Sequence, residues 1–390
     1  GLPLPHRTRA LLEGARAAGH APELLDICVY TGPPRNNPHS GLPQSACVYC
    51  GNCMLGCHVH AKNTLDLNYL PVAEKNGAEI RPLHEVVMIE PATEGYRIHF
   101  KQLNAGSAGA AESGSVIGRK VVVAAGTLGS TELLLRCRDV HRTLPRISNA
   151  LGSKFSGNGD SLIPATTDLP QAIDAAWGPS ITAGFGYSDG ADELYIQDLG
   201  IPDPFFWTLQ AGLPNATRLH NVWRVLKDYI ARMLGRPSGK TEGVDFQKLF
   251  QGGLLHALPY LGMGTDAADG TIRLINDQVD VDWKRTSSRT MFARMERLLR
   301  SLSESMHGRY KPSPLWEWPV RKLLTAHPLG GCAMSDREED GVVDEFGQVR
   351  GYENLIVADG SVIPTALAIN PSATISALAE RTAAHITSSE

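Results

Sequence analysis

The sequence contains no long hydrophobic run and no block of like charge. Although 42% of its 390 residues are apolar, no stretch approaches the roughly 18 consecutive apolar residues that a membrane helix requires. The formal net charge of −4 is spread along the chain, so nothing predicts attraction to nucleic acid or to acidic lipid. We therefore expect a soluble protein without a membrane span that acts on small molecules.

The sequence also lacks the usual features of a protein N-terminus. It begins at Gly1 without an initiator methionine, and no charged region followed by an apolar stretch marks a signal peptide. We interpret the chain as an N-terminally truncated form of a longer protein. Its length nevertheless predicts about two domains.

Cysteine is scarce except in "CVYCGNCMLGC", which holds four of the chain's seven cysteines. The spacing of Cys47, Cys50, Cys53 and Cys57 is that of bacterial ferredoxins, in which such thiolates hold an iron–sulfur cluster. Against this, His58 replaces the usual proline, and no second cysteine set is present. A zinc site and a loop of packed thiols without metal are the alternatives.

Short buried-strand patterns predict an α/β fold that the chain leaves and re-enters. Val121–Val123 are β-branched, as in a strand buried on both faces, and we expect a turn at Gly126 and a helix from Thr131. "NLIVADG" repeats this pattern and stops at Asp359-Gly360. Since ligands of open α/β sheets lie at the carboxyl ends of such strands, both turns are candidate binding positions.

The middle of the chain predicts a second, α+β domain. "DELYIQDLG" is typical of a strand, and "DGTIRLINDQVDVDW" predicts a hairpin that turns at Asn276-Asp277. Apolar residues at helical spacing predict helices over Asn221–Leu234 and Ser287–Ser305.

Two residues in the last part of the chain are candidates for chemistry. The final helix is expected to start with Asn370 as its cap and Pro371 in its first turn, and the half-positive helix end would suit a negative charge. An ordinary capped helix is the alternative. His327 lies in "TAHPLGGC", where two glycines allow a tight turn, so it is either a structural histidine or a general base.

At this point several motifs carry a family resemblance. "HPLGGC", "NLIVADGSVIP", "NPSATISALAER", "AAGTLGSTELLLR" and "AKNTLDLNYL" resemble the glucose-methanol-choline (GMC) oxidoreductases, and within them the cholesterol oxidase-like branch. The blocks follow the family's order and span most of the chain, whereas the middle domain matches loosely. The resemblance implies an FAD-dependent enzyme that oxidises the CH–OH group of an alcohol.

The same resemblance implies roles for the candidate residues. His327 is expected to contact the substrate hydroxyl and assist removal of its proton, and Asn370 to position hydroxyl and flavin for hydride transfer. The remaining residues implied in FAD binding are Val86, Gly126, Asp359, Gly360 and Pro371, together with Asn370.

On this basis the domains can be assigned as expectations. Residues 1–80 form a loop-rich segment that carries the cysteine cluster over the flavin site. Residues 81–150 and 326–390 are two parts of a Rossmann-like FAD-binding domain, and 151–325 are the substrate-binding domain. The expected substrate is an alcohol, for which a sterol and a long-chain alcohol are options. The expected electron acceptor is oxygen or a redox partner.

Two departures from the family restrict these expectations. Cholesterol oxidases carry a glutamate that moves a proton in steroid isomerisation, but the best matching position here is Gln197, and an amide cannot act as that base. Asp198 would replace it only if the alignment shifts by one residue. We therefore expect alcohol oxidation without isomerisation.

The second departure is the missing G-x-G-x-x-G turn of an FAD-binding unit near the N-terminus. The nearest match, "GMGTDA" at Gly262–Ala267, precedes a strand instead of a helix, and we interpret it as a loop. The chain as given is then expected to lack half of its FAD site and to be inactive on its own. An iron–sulfur electron-transfer protein that uses Cys47–Cys57, or a non-catalytic scaffold, are the alternative functions.

Overall fold

A computed structural model describes residues 3–103, 112–190, 192–202, 256–313 and 323–388. Within these ranges the chain has the mixed α/β fold that the sequence predicts. The helices are α1 (His6–Ala17), α2 (Tyr69–Lys75), α3 (Gly126–Leu135), α4 (Arg289–Ser305) and α5 (Ser372–Ser388). The strands are β1 (Glu23–Leu24), β2 (Arg35–Asn36), β3 (Pro43–Gln44), β4 (His84–Ala92), β5 (Gly95–Gln102), β6 (Glu112–Gly118), β7 (Val121–Val123), β8 (Ser161–Thr167), β9 (Ala183–Ser188), β10 (Glu193–Asp198), β11 (Leu258–Gly264), β12 (Thr271–Ile275), β13 (Gln278–Asp282), β14 (Arg309–Lys311) and β15 (Leu355–Val357).

Five strands of the largest sheet come from the middle of the chain, and the sixth, β1, comes from its N-terminal segment. The six strands pair antiparallel in the order β1-β9-β10-β11-β8-β14. Helices α1 and α4 share a hydrophobic core with this sheet. The apolar stripe predicted for α4 is confirmed, because Met291, Met295, Leu298, Leu299 and Leu302 are all buried.

The loop predicted for "GMGTDA" was wrong for its glycines, which lie in this sheet, whereas Thr265–Ala267 lie outside the strands as predicted. Strand β11 continues through Gly264. A Cβ at Gly262 would lie 2.6 Å from the sulfur of Met295, and one at Gly264 would lie 2.7 Å from the sulfur of Met291. These glycines therefore make room for α4 to pack on the sheet, which the sequence pattern alone does not reveal.

A second core surrounds the parallel pair β7 and β15. Helix α3 begins at Gly126, five residues before the predicted start at Thr131. Val123 is 5% exposed but Val122 is 48% exposed, so burial on both faces of β7 was a wrong prediction for the described residues. The side chain of Val122 points to the face of β7 opposite that of Val121 and Val123, and only the latter two pack in the core that the described residues form.

The predicted hairpin is confirmed. Strands β12 and β13 pair antiparallel around Asn276 and Asp277, which have φ angles of 52° and 61°. Two central residues with positive φ form the turn that suits the twist of a two-residue hairpin. The helix predicted over Asn221–Leu234 lies outside the described residues.

Among the described residues, no helix combines the length and apolar character needed to cross a membrane.

Candidate active site

The loop that carries His327 is tightly constrained by two glycines. Gly330 and Gly331 have φ angles of 82° and 100°. A Cβ at Gly330 would lie 1.9 Å from the carbonyl oxygen of Lys154, and one at Gly331 would lie 2.2 Å from the hydroxyl of Thr131. Only glycine allows this approach, and the loop holds His327 half-buried, with 14% of its side chain exposed.

His327 is bonded to a carboxylate that the sequence did not single out. Its Nδ1 lies 3.0 Å from Oδ1 of Asp160, whose side chain has no exposed surface. The second carboxylate oxygen accepts hydrogen bonds from the hydroxyl of Thr325 at 3.1 Å and from the backbone N–H of Ala326 at 2.8 Å. Asp160 thereby fixes both the imidazole ring and the backbone that leads to it.

This contact defines the tautomer of the imidazole. A carboxylate accepts hydrogen bonds and does not donate them, so Nδ1 of His327 must carry the proton. Nε2 is left as the basic nitrogen. It lies 3.4 Å from the side-chain nitrogen of Asn370, so the structure brings together the two residues that the sequence nominated 43 positions apart.

Asn370 does not cap the final helix, in contrast to the prediction. Helix α5 begins at Ser372, and the first helical carbonyl is that of Pro371, which accepts from Ile375 N–H at 2.9 Å. The side-chain oxygen of Asn370 instead accepts a hydrogen bond from Nε2 of Gln197 at 2.7 Å. Its side chain therefore links the histidine to the six-stranded sheet.

The last two residues of strand β10, Gln197 and Asp198, have different roles. Gln197 bonds to Asn370 and is 2% exposed. Asp198 is fully buried elsewhere, where it forms an ion pair with Arg7 at 3.0 Å and accepts the backbone N–H groups of Thr182 and Ala183. The residue beside Asn370 is thus the amide and not the carboxylate.

The turn before β8, residues 156–160 ("SGNGD"), organises both halves of this site. Asp160 holds His327, and Asn158 holds the segment that leads to Asn370, because its side chain accepts from Leu367 N–H and Ala368 N–H and donates to the carbonyl of Ile369. Glycine, asparagine and aspartate clustered before a strand signal a turn, and the carboxylate in that cluster was the available clue.

The two predicted binding turns also meet. The carboxylate of Asp359 accepts from the backbone N–H of Gly126 at 3.0 Å, from Ser130, and from the N–H and hydroxyl of Ser361. This links the turn after β7 to the turn after β15. Gly360 follows directly, and its carbonyl accepts from Gly330 N–H at 3.1 Å, so the binding turns adjoin the His327 loop.

The other two predicted cofactor residues differ in their surroundings. Val86 lies on β4 in the three-stranded sheet and is 40% exposed. Pro371 is buried and precedes the first turn of α5, where Ser372 and Ala373 are exposed. The start of this helix is therefore formed by exposed residues.

The cysteine loop is held by contacts within the protein. Sγ of Cys47 and Sγ of Cys57 accept backbone hydrogen bonds from Tyr49 and Lys62, both at 3.4 Å, and burial raises the pKa of the Cys47 thiol. In the described ranges, which include all four cysteines of the cluster, no three Cys, His, Asp or Glu side chains are grouped as metal ligands. The four cysteines line one small cavity, but their thiols are not grouped there as a set of metal ligands.

Comparison with known proteins agrees with this arrangement. Two family models, both described as GMC oxidoreductase, match residues 24–138 and 266–379. Together they include the binding turns, His327 and Asn370. The chain belongs to the GMC oxidoreductase family.

Similarity to individual GMC proteins extends along most of the chain. A cholesterol oxidase of Acinetobacter baumannii is 29% identical over 375 residues, which cover 89% of this chain and 62% of that protein. A long-chain-alcohol oxidase of Arabidopsis thaliana is 41% identical over 58 residues, 15% of this chain and 8% of that protein. The chain spans about six tenths of the length of the cholesterol oxidase it matches.

A solved structure shares the GMC fold. An FAD-dependent oxidoreductase from Chaetomium thermophilum superposes with a TM-score of 0.54 at 18% identity, covering 84% of this chain and 65% of that one. Members of this family are flavoproteins, and the binding turns fit a flavin nucleotide. Gly126 has a φ of 77° and no atom within 4 Å of the place where a Cβ would stand, so a ligand can approach the backbone at the start of α3.

Proposed function

We propose that this protein oxidises the CH–OH group of an alcohol to a carbonyl with FAD as the electron acceptor. The observation that carries the proposal is the line Asp160–His327–Asn370, which presents an imidazole nitrogen and an amide side by side. The chemistry of this pair is that of a base and a hydrogen-bonding anchor. The imidazole of His327 alone, or the amide of Asn370 alone, could simply stabilise the fold.

In this proposal Nε2 of His327 accepts the hydroxyl proton of the alcohol. The flavin, when bound, supplies the acceptor for the hydride that leaves the carbinol carbon. The alcohol loses one proton and one hydride, and its C–O bond becomes a double bond. Asn370 binds the hydroxyl oxygen and so holds the carbinol carbon in the orientation needed for hydride transfer.

Asp160 stabilises the imidazolium that forms when His327 takes the proton. Its carboxylate has no exposed surface, and attraction between opposite charges is strong where water is excluded. The same bond holds the ring in one orientation throughout the reaction. In this general-base catalysis, Asp160 orients the imidazole and His327 takes the proton.

The cofactor residues are proposed from the binding turns. Gly126 offers its open backbone at the start of α3, and Asp359 with Gly360 shape the adjoining turn. Pro371 precedes the exposed first turn of α5, where backbone N–H groups favour negative charge on the reduced flavin. Val86 is proposed to line the nucleotide part, on an exposed face of β4.

The alcohol is proposed to react without steroid isomerisation. Gln197 is the polar residue that adjoins Asn370, and an amide has no proton-accepting site of the strength that a carboxylate has. The similar cholesterol oxidase and long-chain-alcohol oxidase make sterols and long-chain alcohols the first substrates to test. Oxygen or a protein redox partner is the proposed final acceptor.

Because the chain spans about six tenths of the cholesterol oxidase it matches, the test uses the complete, flavin-loaded enzyme, mixed without oxygen with long-chain primary alcohols and with cholesterol. The proposal expects one of them to abolish the absorbance of oxidised flavin and to be recovered as the aldehyde or ketone. Deuterium on the carbinol carbon should slow the bleaching, since that bond breaks in the hydride step. Flavin that stays oxidised with every alcohol contradicts the proposal.

A further inference from the structure

One polar atom beside the candidate active site is left without a partner. Gln197 is 2% exposed, its Nε2 donates to Asn370, and its Oε1 is buried with no hydrogen-bond partner among the described residues. Buried polar atoms are nearly always paired, and an unpaired one at a functional site calls for an explanation.

The direction of every hydrogen bond leading to this atom follows from Asp160. Its carboxylate only accepts, so Nδ1 of His327 donates and Nε2 is the acceptor end of the ring. The nitrogen of Asn370 must then face Nε2, which turns the Asn370 oxygen toward Gln197. Gln197 has to donate to that oxygen, and so its own oxygen points elsewhere.

The neighbouring protein groups do not supply a donor for this oxygen. On the sheet, Gln197 pairs with Leu261 of β11 and with Gly184 of β9, neither of which has a polar side chain. The next residue, Asp198, is a carboxylate that bonds to Arg7 and to the backbone N–H groups of Thr182 and Ala183 at the start of β9. No residue that the structure describes supplies this donor, and a hydroxyl of a bound ligand would satisfy Oε1.

We propose that Oε1 of Gln197 accepts a hydrogen bond from a second hydroxyl of the substrate, so that the site selects alcohols with a hydroxyl next to the reacting carbon. This inference rests on the proposed function. The reacting hydroxyl has a single hydrogen, which points to Nε2 of His327, and therefore cannot also serve Gln197. Because one amide, that of Asn370, separates the two residues, the two hydroxyls must be close together, as in a vicinal diol.

The test compares 1-octanol with 1,2-octanediol, which share a carbon skeleton. In the flavin-loaded protein we expect the diol to have a kcat/KM about tenfold or more above that of the monohydric alcohol, since a site that hydrogen-bonds a hydroxyl discriminates against the analogue without it. In Gln197→Met, which keeps the length of the side chain but offers no acceptor, the ratio should fall to about one.

The ratio of the two kcat/KM values, diol over monohydric alcohol, distinguishes the role of Oε1 as an acceptor from the role of the Gln197–Asn370 hydrogen bond. Loss of the Gln197–Asn370 contact slows both alcohols alike, whereas loss of Oε1 affects the diol alone. Gln278→Met, on the exposed turn side of β13, is the matched control and should leave the ratio as in the unaltered protein. Equal kcat/KM values for the two alcohols in the unaltered protein overturn the inference and leave the proposed oxidation standing.

A binding measurement keeps the inference testable without turnover. Calorimetric titration of the same two alcohols should give tighter binding of the diol, and Gln197→Met should remove the difference. This result with no oxidation of either alcohol would uphold the role of Gln197 and reject the proposed oxidation. Equal affinities in the unaltered protein reject the role of Gln197.

Discussion

Oδ1 of Asp160 lies 3.0 Å from Nδ1 of His327, and the carboxylate is fully buried. The two residues are 167 positions apart in the chain. Since the carboxylate must accept, this one contact determines which imidazole nitrogen is free for chemistry. It therefore connects the turn before β8 to the proposed proton transfer.

Asp160→Asn tests that connection. An asparagine can donate to Nδ1, which would move the imidazole proton to Nε2 and remove the base. We expect flavin reduction by alcohol to slow by about a hundredfold or more, because general-base assistance typically contributes that much. Stopped-flow absorbance of the flavin measures the rate, and flavin content per chain checks that the cofactor stays bound.

The control for this substitution is Asp282→Asn, at the end of the β12–β13 hairpin, where the carboxylate contacts Arg273 and Lys284. It removes the same charge without touching His327 and should leave the rate unchanged. If Asp160→Asn and Asp282→Asn reduce their flavin equally fast, Asp160 does not define the tautomer.

Gly330→Ala should destabilise the protein more than Gly41→Ala. Both glycines have positive φ, 82° and 76°, and an alanine there costs about 1–2 kcal/mol from backbone strain alone. At Gly41 no atom lies within 4 Å of the added Cβ, whereas at Gly330 the Cβ would lie 1.9 Å from a carbonyl oxygen. Forcing the backbone apart adds about 1–3 kcal/mol.

Urea unfolding of the two variants measures this difference. The backbone strain from positive φ lowers the unfolding midpoint of both variants. Only Gly330→Ala adds the overlap with the carbonyl oxygen of Lys154. Similar free energies of unfolding for the two variants would mean that the His327 loop is not as closely packed as described.

Cys332, the last residue of "HPLGGC", gives stability a pH dependence. Complete burial raises the pKa of its thiol from the ordinary 9.0 to about 12. Above pH 9 the unfolded chain releases this proton while the folded chain keeps it, so the free energy of unfolding falls as pH rises, by about 1.4 kcal/mol per pH unit between the two values. Below pH 9 this contribution is constant.

Cys332→Ala should remove this part of the alkaline decrease. The measurement is urea unfolding between pH 8 and pH 10 (about one unit on each side of the ordinary thiol pKa), with Cys28→Ala, an exposed cysteine, as the control. The curve for Cys28→Ala should follow that of the unaltered protein. Equal alkaline slopes for Cys332→Ala and Cys28→Ala would show that the thiol at 332 is not buried.

The cysteine cluster is expected to carry no metal. Two of its four thiols, those of Cys47 and Cys57, accept local backbone hydrogen bonds, as expected of a packed loop. Iron, zinc and labile sulfide per chain, measured after purification without oxygen, should be far below one. Near-stoichiometric iron with sulfide would restore the electron-transfer alternative for Cys47–Cys57.

Local features of the fold were predictable because their causes are local. The β12–β13 turn follows from two residues that tolerate positive φ, and α4 from apolar residues at helical spacing. The start of α3 was mispredicted because Gly126 and Gly129 are weak helix formers. The helix starts there because Asp359, 233 residues away, accepts the N–H of Gly126.

The candidate site was predictable only in part for the same reason. His327 and Asn370 stand in motifs that are contiguous in sequence, so the family resemblance identified them. The role of Asp160 depends on its contact with His327 in another segment of the chain. The role of Gln197 depends on the direction in which its amide points. Strand periodicity alone could not decide between Gln197 and Asp198.

The central claim is that His327 takes the proton of the alcohol beside Asn370. The most direct measurement is the rate of flavin reduction by alcohol in His327→Ala and Asn370→Ala of the flavin-loaded protein. The account predicts a loss of about a hundredfold or more in each variant with flavin still bound. Unchanged reduction rates in both variants would contradict it.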